Sequence, residues 1–161
     1  MNTSKFRKEA RDRRDAAVHE AAHLVVARQI QQGEGISRPP MRACIYRVDG
    51  TTPRGRTWNG TFNFFPFDMP PLKKAMVGVA GVVAVTLWRR GRLGELRWDD
   101  PDTMSRQDWD ICGCEPGRPM PELPQAIVEV SALLKRNTGL LWPKLCVEAR
   151  RLITRHVLEY P

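Results

Sequence analysis

Apolar and polar positions divide this chain of 161 residues into helix-like stretches with one strand-like interruption. Residues 5 to 15 carry mixed charge and read as the exposed first turns of a helix, so residues 1–15 form a charged N-terminal extension. From Ala16 the pattern turns apolar on nearly all sides, which marks a buried helix. Gly33 and Gly35 supply its stop, and the following ISRPP agrees, because proline cannot continue a helix. ACIYRV (43–48) and TWNGTFNFF (57–65) are rich in aromatic and β-branched residues. With DGTTPRGR between them they predict a β-hairpin. Pro66, Pro70 and Pro71 end it, and Pro71 suits the first turn of a helix from about Leu72 to Arg90.

Beyond a polar loop at 91–104, SRQDWDICG looks like a helix start, and residues 113–124 form a proline-rich linker. QAIVEVSALLKRN and WPKLCVEARRLITRHVLEY both show helical spacing, joined by a turn at Asn137 to Gly139. The order predicts a mostly helical α+β fold: a helix, a small hairpin and a C-terminal helical bundle, in a single domain over 1–161.

Composition adds a partner class. The formal charge of +8 and pI near 9.9 favour anionic partners and say nothing about fold. Lys5, Arg7, Lys8, Arg11, Arg13 and Arg14 beside Phe6, and Arg89, Arg90 and Arg92 next to Trp88, form a face that a nucleic acid could contact. Glu9, Asp12 and Asp15 interrupt the first group, and no nucleic-acid-binding motif accompanies it. The N-terminus is charged from the start, unlike a secretory signal, and the longest apolar run, residues 75 to 88, falls short of the ~20 residues that span a bilayer. The expectation is a cytoplasmic protein without a membrane span, whose four cysteines are free thiols. Cys112 and Cys114 stand too close together for common zinc spacings and read as structural.

The chemistry lies in AAVHEAAHLVVA, residues 16–27. His19, Glu20 and His23 are the hydrophilic groups of a segment that is otherwise buried, which is costly unless each finds a partner. Four residues apart on a helix, His19 and His23 project from one face and can bind one zinc ion. Glu20, one position round, can reach a water on that ion and act as general base. Such a spacing arises by chance in only about two chains per thousand of this composition. Zinc needs a third protein ligand. Val26 and Gln29 occupy the positions where the metzincin pattern requires Gly and His, so that subclass is excluded. His156, the remaining histidine, falls among charged residues of the last helix, which leaves a downstream acid as the better candidate.

AAVHEAAHLVVA resembles the zinc helix of the FtsH family, the peptidase half of ATP-dependent membrane proteases, where the pattern is His-Glu-Ala-Gly-His. IYRVDG and NGTFNFF resemble that family's edge-strand hairpin, and MVGVAGVVAVTLW its Gly-Gly-Arg-Ala-Ala-Glu helix. MSRQDWDIC resembles the Ser-Asn-Asp-Leu segment that carries the third ligand. The resemblance spans about residues 15 to 159 and implies a zincin-like fold, Zn2+ held by His19, His23 and Asp108, and Glu20 as catalytic base. Ser105 with Asp108 also reads as a helix capping box, and Asp102 and Asp110 lie near enough in sequence to compete as ligand.

There are departures. Ala22 replaces the family's glycine, and Val82 and Val85 stand where arginine and glutamate are usual. Losing those two polar residues implies a monomer or dimer, if the family's ring depends on them. No phosphate loop ending in Gly-Lys-Ser/Thr occurs, so no ATPase is expected. The expected function is a stand-alone zinc metalloendopeptidase acting on peptides or flexible protein segments. Alternatives are a small regulatory metalloprotease of the ImmA/IrrE kind, and a non-catalytic basic protein contacting nucleic acid.

Overall fold

A computed structural model describes residues 3–34, 40–64 and 69–160. Among them are five helices and a three-stranded antiparallel sheet, so the α+β, mostly helical class is observed. In chain order they are α1 (Thr3–Glu34), β1 (Met41–Arg47), β2 (Trp58–Asn63), α2 (Pro71–Arg90), α3 (Arg106–Cys112), α4 (Leu123–Leu133), α5 (Trp142–Arg155) and β3 (Val157–Tyr160).

Helix α1 is the spine. It packs against α2, α5 and both hairpin strands. Ala16, Ala17, Ala21 and Ala22 are all buried, and their small side chains let those neighbours come close. The charged first turns are not wholly exposed as expected. Asp12 and Asp15 are buried, because each has found partners on another element. Asp12 accepts from Lys8 Nζ at 2.6 Å and from the backbone N–H of Thr57 at 2.9 Å, which ties α1 to the loop before β2. Asp15 pairs with Arg89 of α2, whose Nε lies at 3.0 Å. Gly33 lies inside α1, and the Gly35 and proline stop falls in residues outside those described up to Pro39.

The hairpin forms as predicted, with Ile45 opposite Gly60 and Ala43 opposite Phe62. Phe65 and Pro66 lie outside the described residues. Pro71 occupies the first turn of α2, where its missing N–H costs nothing. This helix ends at Gly91, whose positive φ of 71° suits glycine. At 20 residues, α2 is long and apolar enough to cross a bilayer by length and composition, longer than the apolar run read from the sequence. Here 67% of its most apolar window is buried inside the fold.

The C-terminus differs from the predicted helix. The last predicted helix stops at Arg155, and Val157–Tyr160 is a strand that pairs with β1, giving the sheet order β2-β1-β3. His156 makes the break with a left-handed φ of 64° and lies 2.6 Å from an Arg13 guanidinium nitrogen. No glycine or proline announces that stop, so the helical spacing of apolar residues runs straight through it. Tyr160 is then pinned by α5, its hydroxyl 2.9 Å from Glu148 and 2.6 Å from Arg151. The linker of 113–124 ends slightly early, since α4 begins at Leu123, and Asn137 makes the turn before α5 with φ 65°.

Candidate metal centre

His19 and His23 lie on one face of α1, and across from them stands Asp108, on the first turn of α3. One ligand atom from each residue lies within 4.8 Å of the other two. His19 Nε2 is 3.3 Å from both carboxylate oxygens of Asp108, and His23 Nε2 is 3.0 Å from Oδ1. The other nitrogen of His23 settles its tautomer. A carbonyl can only accept, so Nδ1, at 2.7 Å from the carbonyl of Val77, carries the hydrogen. In the neutral ring, Nε2 then presents a lone pair to a carboxylate lone pair. Its approach to Asp108 lies outside hydrogen-bonding geometry, and it has no other partner among the described residues. Such a buried, orphaned acceptor among converging lone pairs fits a cation.

Charge tells the same story. Burial alone would push His23 down, yet the Asp108 and Glu20 carboxylates outweigh it and lift the imidazole to about 9. Burial would likewise raise Asp108, but the two imidazoles hold its carboxyl well below the usual carboxylate range. In the metal-free protein a proton takes the place that a metal would compete for.

The pocket is shaped by glycines that bring elements unusually close. A Cβ on Gly81 would stand 2.5 Å from the imidazole of His19, and one on Gly78 would meet Cys112 Sγ and lie 2.8 Å from the carbonyl of Asp108. Helix α2 therefore supports both histidine and aspartate sides of the group through two residues without side chains. Phe62 stacks on His23 with centroids 5.6 Å apart, and Gln107 Nε2 donates to the Phe62 carbonyl at 2.8 Å, joining α3 to β2. Helix α3 itself is fixed by buried Trp109, whose Nε1 donates to Pro101, and by Cys112 packed under α2, a structural role as expected.

Asp108 caps its helix and also faces the two histidines. Its backbone N–H donates to Ser105 Oγ at 3.1 Å, while its Oδ2 accepts the Ser105 N–H at 3.2 Å, which is a capping box. Its Oδ1 is left to face the histidines. The competitors are elsewhere: Asp102 is exposed near Arg54, and Asp110 is exposed and paired with Arg106 at 3.4 Å. His156 serves as the cap of α5.

Glu20 sits beside the group at the floor of a cleft of about 370 Å³. Only 5% exposed, it makes no hydrogen bond to a described residue, and burial raises its pKa against the pull of His19 and His23. A Cβ on Gly60 would lie 2.6 Å from Glu20 Oε1, so the strand passes directly over the carboxylate. Val82 and Val85, which depart from the resembled pattern, line the same cleft. Sequence reasoning singled out His19, Glu20, His23 and Asp108 but missed Gly60, Gly78 and Gln107. A glycine inside a strand pattern was the available signal for the first.

The basic face is partly engaged internally. Lys8 holds Asp12, Arg13 donates to the Ile153 carbonyl and stacks over Trp58, and Arg89 holds Asp15. No protein-family model matches the chain, and no curated protein matches it at a significant level.

Proposed function

We propose that this chain is a stand-alone zinc-dependent metallopeptidase of FtsH-like, zincin-like type that hydrolyses peptides or flexible protein segments. The observation that carries the reading is the convergence of His19, His23 and Asp108 from two helices, with Glu20 beside them at the floor of an open cleft. Two imidazoles, one carboxylate and access from the cleft make a donor set that suits catalytic zinc. Zinc bound there would polarise a substrate carbonyl and lower the pKa of water.

The protein's own residues do the rest. The N–H and C=O groups of strand residues alternate in direction. The Thr57 carbonyl accepts from Val48 on the β1 side, and the Phe62 carbonyl accepts from Gln107 on the other. Gly60, two residues before Phe62, therefore turns its backbone groups away from β1 and toward the cleft. An extended peptide added along this edge would be held by main-chain hydrogen bonds with one of its bonds over Glu20. Glu20 takes a proton from the attacking water and passes it to the leaving amine. The carbonyl of Val77 fixes the ring of His23, so the ligand's orientation does not depend on substrate.

The test is cleavage of unfolded casein or quenched fluorescent peptides by zinc-loaded protein beside Glu20→Gln. Hydrolysis that needs both zinc and Glu20 supports the proposal. Zinc binding with no hydrolysis across a broad peptide library would overturn it.

A further inference from the structure

One end of the cleft carries chemistry that the metal group does not use. Arg54 and Arg56, from the loop before β2, and Arg89, from the last turn of α2, line the same cleft as His19 and Glu20. Arg89 is already paired with buried Asp15. Arg54 donates to the carbonyl of Met104 at 3.1 Å and lies 3.9 Å from exposed Asp102. Arg56 differs from both. Its guanidinium is half-buried and has no hydrogen-bond or ion-pair partner among the described residues. Burial, and after it the charges of Arg89 and Arg54, work against its protonated form, with Asp15 and Asp12 offsetting part of that.

A half-buried guanidinium with unused donors and two like charges beside it gains from an incoming anion. The planar fork of arginine matches a carboxylate, which it can hold through two parallel hydrogen bonds. At the other end stand Glu20 and Asp108, which repel a carboxylate unless a metal offsets them. The cleft thus has a charge direction along its length.

We propose that Arg56, flanked by Arg54 and Arg89, is a carboxylate-binding subsite that selects peptides bearing an acidic group a few residues from the bond over Glu20. The proposal rests on the peptidase reading above and supplies its substrate class. Spacing fixes the distance. Arg56 precedes Gly60 by four residues, at most ~14 Å of extended chain. A peptide lying along the β2 edge covers that span with its next three or four residues. The carboxylate belongs either to an Asp or Glu side chain or to a free C-terminus, which share one chemistry.

The experiment is binding of labelled octapeptides, read by fluorescence anisotropy, to zinc-loaded Glu20→Gln protein. One set carries a single Glu at each successive position in an otherwise neutral, amidated sequence, with Gln as the matched control. A second set is neutral with a free C-terminus at varied distance from the centre. We expect one register of Glu, or one position of the free carboxylate, to bind about tenfold tighter than its neutral match. Which set responds identifies the source. Arg56→Gln should abolish the preference without changing zinc content, and Arg56→Lys should keep part of it. If Arg56→Gln fails to fold, Arg54→Gln should still reduce the preference at least about threefold. Equal binding of all peptides within about twofold, or a preference that survives Arg54→Gln with Arg56→Gln, overturns the subsite. Because binding is measured on a protein lacking its base, a charge preference without hydrolysis by the unaltered protein would sink the peptidase reading and leave the subsite standing.

Discussion

The carbonyl of Val77 accepts the Nδ1–H of His23 at 2.7 Å, so a residue of α2 decides which nitrogen of an α1 histidine faces Asp108. Once its proton is displaced, Nε2 offers a lone pair in a buried site, and metal binding should follow. Purified protein should hold about one zinc per chain, lost in His23→Ala and weakened in Asp108→Asn. Stripped protein given zinc at a thousand times its dissociation constant should gain roughly 10 °C in melting temperature. Metal analysis and calorimetry check this, and an unchanged melting curve would refute it.

Two glycines should separate metal binding from catalysis. Gly81→Ala drives a methyl group toward the ring of His19, 2.5 Å away, and should weaken zinc binding by tenfold or more. Gly60→Ala presses instead on Glu20 and narrows the cleft. It should keep its zinc and lose peptide hydrolysis. Paired zinc titrations and peptide assays read the difference.

Removing the base should leave the metal. Glu20→Gln is nearly isosteric and should bind zinc as the parent does, while hydrolysis falls by about 10² to 10⁴. A residual rate above one tenth of the parent's would show that another group carries the proton.

Ser105→Ala removes the side-chain half of the capping box that holds α3 and steadies Asp108. Stability should drop by about 1 kcal/mol, and zinc affinity should fall as well. A stability loss with unchanged affinity would mean that Asp108 is held without its cap.

Acid should loosen the hairpin loop. Burial would raise the pKa of Asp12, but hydrogen bonds from Lys8 and Thr57 outweigh it and lower the pKa below 3.8. With a depressed folded value, Asp12 contributes stability above 3.8 that is lost as pH falls through that folded value. Asp12→Asn should therefore flatten the acid limb of a stability profile measured by denaturant unfolding, and leave the shape above pH 5 unchanged.

Much of the site was legible because its signals are local. His19, Glu20 and His23 declare themselves through one turn of helix, and the hairpin through alternation around a turn. Asp108 was reachable only by resemblance, since spacing cannot tell a cap from a ligand, and here the capping carboxylate also faces both histidines. The end of α5 misled because an ordinary histidine adopts the left-handed backbone that usually advertises glycine. Gly78 was silent, and Gly60 signalled only a close approach, for a deeper reason: what makes them necessary is an atom from a distant segment. Asp12 and Asp15 read as solvated charges for the same reason, because Thr57 and Arg89 are far away in sequence.

His19 and Asp108 stand 89 residues apart in the chain, yet one ion would touch both. Between them lie the hairpin and the whole of α2, so an ion held there closes a loop around most of the first two thirds of the molecule. Opening that loop would mean giving up the ion, which would tie the lifetime of the folded spine to metal supply. A cell short of the metal would hold less of the protein, as well as a less active one.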